Sequence, residues 1–130
     1  MGNLNTLAMA AALAIACLAA PLTATADEAT VAEAEIEQLL VSIGESGCEF
    51  IRNGKRHSAS DAESHLRMKY RRGKRYAKTA ELFIERLATA SSMSKRPYEI
   101  DCGGEPERTG DWLKDRLDGL RAETAASEAS

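Results

Sequence analysis

The chain has 130 residues, 17 Lys and Arg against 20 Asp and Glu, and a formal net charge of −3 at pH 7. That length allows one domain. Only six residues are aromatic (one Trp, three Tyr, two Phe), which leaves few stacking platforms and disfavours nucleic acid as a partner.

Residues 1–26 carry no Asp, Glu, Lys, Arg or His and contain an apolar run over 7–20. Pro21 and the small residues Ala24-Thr25-Ala26 follow, just before Asp27 and Glu28. This is the layout of a signal peptide cleaved after Ala26, with the departure that its first six residues lack Lys and Arg. The run falls short of the roughly 20 residues that cross a bilayer. The expected location is the periplasm, or outside the cell as a secreted protein. A second export route is a lipid anchor on Cys17. Against it, Ala14 stands three residues before the cysteine, where Leu is usual, and Leu18-Ala19-Ala20 after it stay apolar. The expected division is a signal peptide over 1–26, one domain over 27–122 and a disordered tail over 123–130, with no transmembrane segment after cleavage.

In the 31–43 stretch Val31, Ile36, Leu39, Leu40 and Ile43 recur at helical spacing. Thr30 is the expected N-cap, and Gly44 and Gly47 the stop. Residues 48–58 hold Asn53-Gly54, which predicts a two-residue hairpin with a type I′ turn. Pairing across it sets Arg52 against Lys55, Ile51 against Arg56 and Phe50 against His57. Ser60-Asp61-Ala62-Glu63 is a capping box. Ala62, Leu66, Lys69 and Tyr70 then line one helical face with His65 beside it, and Gly73 weakens or ends the helix. Thr79 caps a helix whose stripe is Ala80, Phe83, Ile84, Leu87 and Ala88. Residues 91–94 are loop, and 97–102 are extended. Gly103-Gly104-Glu105-Pro106 is a turn. Thr109 caps a last helix with Trp112, Leu113, Leu117 and Leu120.

Side chains alternate faces along a strand. Cys48 therefore shares a face with Phe50, and Cys102 with Tyr98 and Ile100. Once Cys17 leaves with the signal, two cysteines remain, and an oxidising compartment allows one pairing, Cys48–Cys102. Closing a loop of ~55 residues would contribute about 4 kcal/mol in the chain-entropy model. The predicted fold is α+β: three to four helices packed on a small antiparallel sheet of about three strands, with one disulfide.

Charge is segregated. Residues 27–49 hold seven acidic residues and no basic one, and residues 50–80 hold ten basic and two acidic, a net +8. Either the basic segment packs near the acidic first helix and is neutralised there, or it faces an anion. Arg52, Lys69, Arg71, Arg72, Lys74 and Arg75 are the candidate anion-binding residues. For Arg52 and Lys69 the competing expectation is a salt bridge to Glu49 or Glu63. In an exported protein the available anions are phospholipid headgroups, lipopolysaccharide phosphates and cell-wall polymers.

Signals for chemistry are sparse. His57 and His65 are the only histidines. Without a His-Glu-x-x-His run or Cys-x-x-Cys, no metal or cofactor is expected. A Ser–His–Asp set can be written from Ser91, Ser92 or Ser94 with His65 and Asp101, but no Gly-x-Ser-x-Gly elbow exposes a serine. No catalytic residue is assigned.

The pieces Cys48-Glu49-Phe50-Ile51-Arg52-Asn53-Gly54, His65-Leu66 with Lys69, Phe83-Ile84, the run from Ser91 to Cys102 and Trp112-Leu113 resemble the YfeK-like family of small exported Gram-negative proteins, a domain of unknown function. The resemblance covers about residues 33–121. It implies an exported domain and a Cys48–Cys102 pair, and leaves Asn53 and His65 as polar candidates of unassigned role. The family pattern carries Gly before Lys-Pro-Tyr, whereas here Lys95-Arg96 precede Pro97.

Three readings follow. The first is a non-enzymatic binding module using the basic 52–78 region against an envelope protein or an anionic surface. The second is a small hydrolase-type envelope enzyme using His65. The third is an inhibitor or immunity-type protein that plugs a partner with its Asn53-Gly54 tip. A cleft joining His65, Arg52 and Ser92 would favour the enzyme, and a convex charged surface the other two.

Overall fold

The computed structural model describes residues 24–130 together with residues 2, 12 and 14–16, and for residues 24–26 only the backbone. Most of the expected signal segment, Cys17 included, lies outside the described residues.

Helix α1, Ala24–Glu45, begins earlier than its apolar spacing suggests. Thr30 lies inside it and is not its cap. The Ala- and Glu-rich stretch 24–35 carries strong helix propensity without needing an apolar face. Ile36, Leu39, Leu40 and Ile43 are buried as expected, while Val31 is exposed and Ala32 takes its place at the start of the packed stripe. The helix ends at Glu45, between the two glycines expected to stop it, with Gly47 left-handed at φ 67° just beyond. Gly44 sits in the last turn, where a Cβ would run into the Glu63 carboxylate of the next helix.

Strands β1 (Glu49–Arg52) and β2 (Lys55–His57) form the predicted hairpin in the predicted register. Asn53 and Gly54 take φ of 51° and 77°, the two left-handed positions a type I′ turn requires. Strand β3, Glu99–Asp101, pairs antiparallel with the other edge of β1. The sheet has four strands, not about three, in the order β2-β1-β3-β4. The extra one, β4 (Glu107–Arg108), is two exposed residues long and carries no alternation to read.

Phe50 faces Ile100 and Glu49 faces Asp101 across β1 and β3. One step further in that register brings Cys48 opposite Cys102, and these two are joined by a disulfide with Cα atoms 4.3 Å apart. The same register run the other way brings Arg52 opposite Tyr98. The covalent tie therefore sits at one end of the strand pair and this polar pair at the other.

Helix α2, Ala59–Gly73, is capped by Ser58, two residues before the expected box, with the Asp61 N–H donating to the Ser58 hydroxyl at 3.1 Å. It ends at Gly73 and continues as a 3₁₀ turn, Lys74–Tyr76. Thr79 caps α3, Ala80–Phe83, as expected. The helix then widens into a π turn over Ile84–Ala88, and the Thr89 hydroxyl donates to the Ile84 carbonyl at 2.5 Å. Helix α4, Thr109–Glu128, takes Thr109 as its first residue and not as its cap. The Thr109 N–H donates to the Tyr98 carbonyl at 3.0 Å, which fastens the helix start beside β3. Residues 123–128, expected as tail, are helical here with every side chain exposed.

The core gathers Leu39, Leu40, Leu66, Phe83, Ile84 and Leu113 between the helices, with Phe50 and Tyr98 from the sheet. Each such side chain contributes about 1.5–3 kcal/mol of burial. Part of the basic segment is neutralised by α1. Arg67 makes two bonds to Glu37 (2.6 and 2.7 Å) and also reaches Glu63, and Lys74 pairs with Glu33 at 2.7 Å. Among the described residues no helix is long and apolar enough to cross a membrane.

Candidate functional site

On α2, His65, Met68, Lys69 and Arg72 are spaced i, i+3, i+4, i+7, which sets them along one face. That face is not sealed by the core. It forms one wall of a cleft of about 680 Å³. Arg52 enters from the end of β1, Asn53 from the turn after it, Tyr98 from just before β3, and Ser91, Ser92 and Met93 from the loop opposite. The loop is pinned to the hairpin tip by the Ser94 hydroxyl, which donates to Asn53 Oδ1 at 2.6 Å.

Four of these side chains are chained by hydrogen bonds. Arg52 Nη1 lies 2.9 Å from His65 Nδ1, and His65 Nε2 lies 3.1 Å from Tyr98 Oη. Lys69 Nζ donates to Tyr98 Oη at 3.1 Å and to the Ala90 carbonyl at 2.9 Å. Arg52 Nη1 also lies 3.3 Å from His65 Nε2, so it faces the ring rather than one lone pair, and the imidazole's donor and acceptor atoms follow its tautomer. Tyr98 Oη accepts from Lys69 and shares a hydrogen bond with His65 Nε2.

The electrostatics agree. Among the described residues no Asp or Glu lines the cleft. The salt bridges expected of Arg52 and Lys69 are not made: Glu49 is taken by Arg56 at 2.7 Å and Glu63 by Arg67 at 2.8 Å. Burial, then the charges of Arg52, Lys69 and His57, hold the His65 imidazole down to about 4. Burial, then Arg52 and Lys95, lower the Lys69 ammonium to about 8. Burial raises the Tyr98 phenol, with Arg52 opposing. At neutral pH the cleft holds neutral His65, protonated Tyr98 and the cations Arg52, Lys69 and Arg72. Such a site pulls on an oxyanion.

The other candidates fall elsewhere. Arg71 is exposed and does not line the cleft. Lys74 is engaged by Glu33, and Arg75 stacks over the Tyr76 ring at 4.7 Å. Cys48 and Cys102 are structural. Tyr98, Met68, Met93 and Tyr76 complete the cleft but were not read as site residues. The α2 spacing was the signal for Met68, whereas Tyr98 looks like ordinary core on its strand.

A Ser–His–Asp set is not assembled. Asp101 is bound by Arg56 at 3.0 Å, and both His65 nitrogens are engaged by Arg52 and Tyr98. Among the described residues no group of three or more His, Cys, Asp or Glu is arranged to hold a metal.

Fold and cleft together define a small disulfide-tied α+β domain with a donor-rich cationic pocket. The chain belongs to a family of unknown function, DUF5329, whose sequence pattern matches residues 30–121. It is similar to the uncharacterised protein YfeK of Salmonella typhimurium, with 35% identity over 86 residues that span 65% of this chain and 72% of that one. No solved structure matches.

Proposed function

We propose that the protein is exported and acts as a non-enzymatic binding protein that takes a small oxyanion-bearing ligand into the cleft between α2 and the 91–93 loop. One observation carries this reading: Arg52, His65, Tyr98 and Lys69 are joined by hydrogen bonds in a cleft that no described Asp or Glu lines. Export is supported by the uncharged leader and by a disulfide, which persists in oxidising compartments. The relevant part of the basic segment is then Arg52, Lys69 and Arg72. Arg71, Lys74 and Arg75 are outside the site.

Calorimetric titration of the oxidised protein with orthophosphate and acetate tests this. Arg52→Gln removes a charged donor, worth roughly 1.5–3 kcal/mol, and should weaken binding about 10- to 100-fold. The triple variant Arg71→Gln, Lys74→Gln, Arg75→Gln should stay within about threefold of the parent, since exposed charges are screened over ~10 Å at 0.1 M salt. An equal loss in the triple variant would move the binding element to the exposed basic surface. No measurable binding of either anion or of longer anions would end the reading.

The cleft also joins His65, Arg52 and Ser92, which favours the hydrolase as a second reading. Labelling of Ser91 or Ser92 by a fluorophosphonate would support it. The inhibitor reading gains less, because the hairpin tip is bound back to its own loop through Ser94.

A further inference from the structure

The cleft is larger than its polar end requires. A carboxylate or phosphate head would be satisfied by Arg52, Tyr98 and Lys69, while about 680 Å³ lies in the range of sites for whole small molecules. Much of the remaining lining is apolar, with Asn53, Arg72, Ser91 and Ser92 the polar exceptions. Met68, Leu87, Tyr76 and Met93 supply that apolar part, and Tyr76 and Met93 are exposed, Met93 at 93%. Gly73 lies against Leu87: a Cβ there would sit 2.9 Å from Leu87 Cδ2.

Along α2 the donors His65 and Lys69 come first, with Met68 between them, and Gly73, with Arg72 beside it, is two turns past His65, about 12 Å along the axis at 1.5 Å per residue. Methionines adapt to an apolar chain without fixing its shape. Met93 is almost wholly exposed, while Tyr76 is half-exposed with Arg75 over its ring.

We infer that the ligand is a single-chain amphiphile, with an oxyanion head held at Arg52, Tyr98 and Lys69 and an apolar chain lying past Met68 and Leu87 to the mouth at Met93 and Tyr76. This rests on the anion-binding reading above and adds the apolar half. The head chemistry is shared by fatty carboxylates and lipid phosphates, and Arg72 near the mouth suits either.

The test is a homologous series on the full oxidised protein: acetate, hexanoate, octanoate and decanoate, then orthophosphate and octyl phosphate, with decanol as the uncharged control. All are kept below the concentration at which they aggregate. Affinity should tighten about two- to fourfold per added methylene, as burial of CH₂ groups requires. Decanol should bind at least tenfold more weakly than decanoate. Comparing octanoate with octyl phosphate tells which head is preferred. Met93→Ser, at an exposed position, should flatten the chain-length slope, while Arg52→Gln should lower every affinity and leave the slope unchanged.

If acetate and orthophosphate bind but added methylenes gain nothing, the amphiphile is refuted and the anion site stands. If decanol matches decanoate, the charged head is refuted. If no member of the series binds, the anion site itself falls.

Discussion

Removing the Cys48–Cys102 tie should cost both stability and the geometry of the cleft. The disulfide spans 54 residues of sequence. Releasing a loop of that length returns about 4 kcal/mol of chain entropy to the unfolded state at 25 °C. A domain of roughly 100 residues unfolds with an entropy near 0.2 kcal/mol/K, so the midpoint should drop by about 15–20 °C. A second effect follows from register. Cys48 faces Cys102 in the same β1–β3 pairing that brings Arg52 against Tyr98, and a slip of one residue would turn every side chain of β1 to the other face. The Cys48→Ser, Cys102→Ser variant should therefore lose affinity for the anion before it melts. Differential scanning calorimetry of the oxidised, reduced and double-serine proteins measures the first effect, and titration at 15 °C the second. A midpoint shift below about 3 °C, or two free thiols in the non-reduced protein, would refute the reasoning.

Three further outcomes follow from local geometry. Lys95 holds φ of 63°, left-handed, two residues before Pro97; Lys95→Gly should relieve about 1–2 kcal/mol of backbone cost, offset partly by the entropy of Gly, for a net gain of about 0.5–1 kcal/mol in thermal or urea unfolding. Gly73→Ala drives a methyl into Leu87 at 2.9 Å and should destabilise by about 1–2 kcal/mol, with a narrower apolar end of the cleft. Because His65 is lowered from 6.5 to about 4, the unfolded chain binds more protons through that window, so this group's contribution to stability is complete above pH 6.5 and declines as pH falls toward 4. Lys69, lowered from 10.5 to about 8, acts in the same direction higher up, and stability should rise between pH 8 and 10.5. Urea midpoints of the parent against His65→Gln and Lys69→Met would isolate each term.

The hairpin was readable because Asn53-Gly54 constrains both backbone and register, and the disulfide because both cysteines sit on the apolar parity of their strands. Strand β4 was not readable: Glu107 and Arg108 pair through backbone alone, and their exposed side chains leave no pattern. The start of α1 was missed because Ala and Glu build helix without an apolar stripe. In the site, Arg52, His65 and Lys69 stood out by type, but their convergence depends on β3 arriving beside β1 from about fifty residues away. Tyr98 was hidden for the same reason. Its ring packs on Phe50 at 4.9 Å as core, and only its hydroxyl belongs to the site. Charge segregation was legible, but its division was not: Arg67 and Lys74 are neutralised by α1, and Arg52, Lys69 and Arg72 are left to the cleft.

The most direct test of an uncompensated cationic pocket is the titration of the His65 imidazole, followed by NMR in the free protein and with saturating decanoate or octyl phosphate. A buried imidazole beside Arg52 and Lys69 should give a value near 4 when the site is empty, moving upward when an oxyanion occupies it. A value near 6.5 that does not respond to either ligand would contradict it.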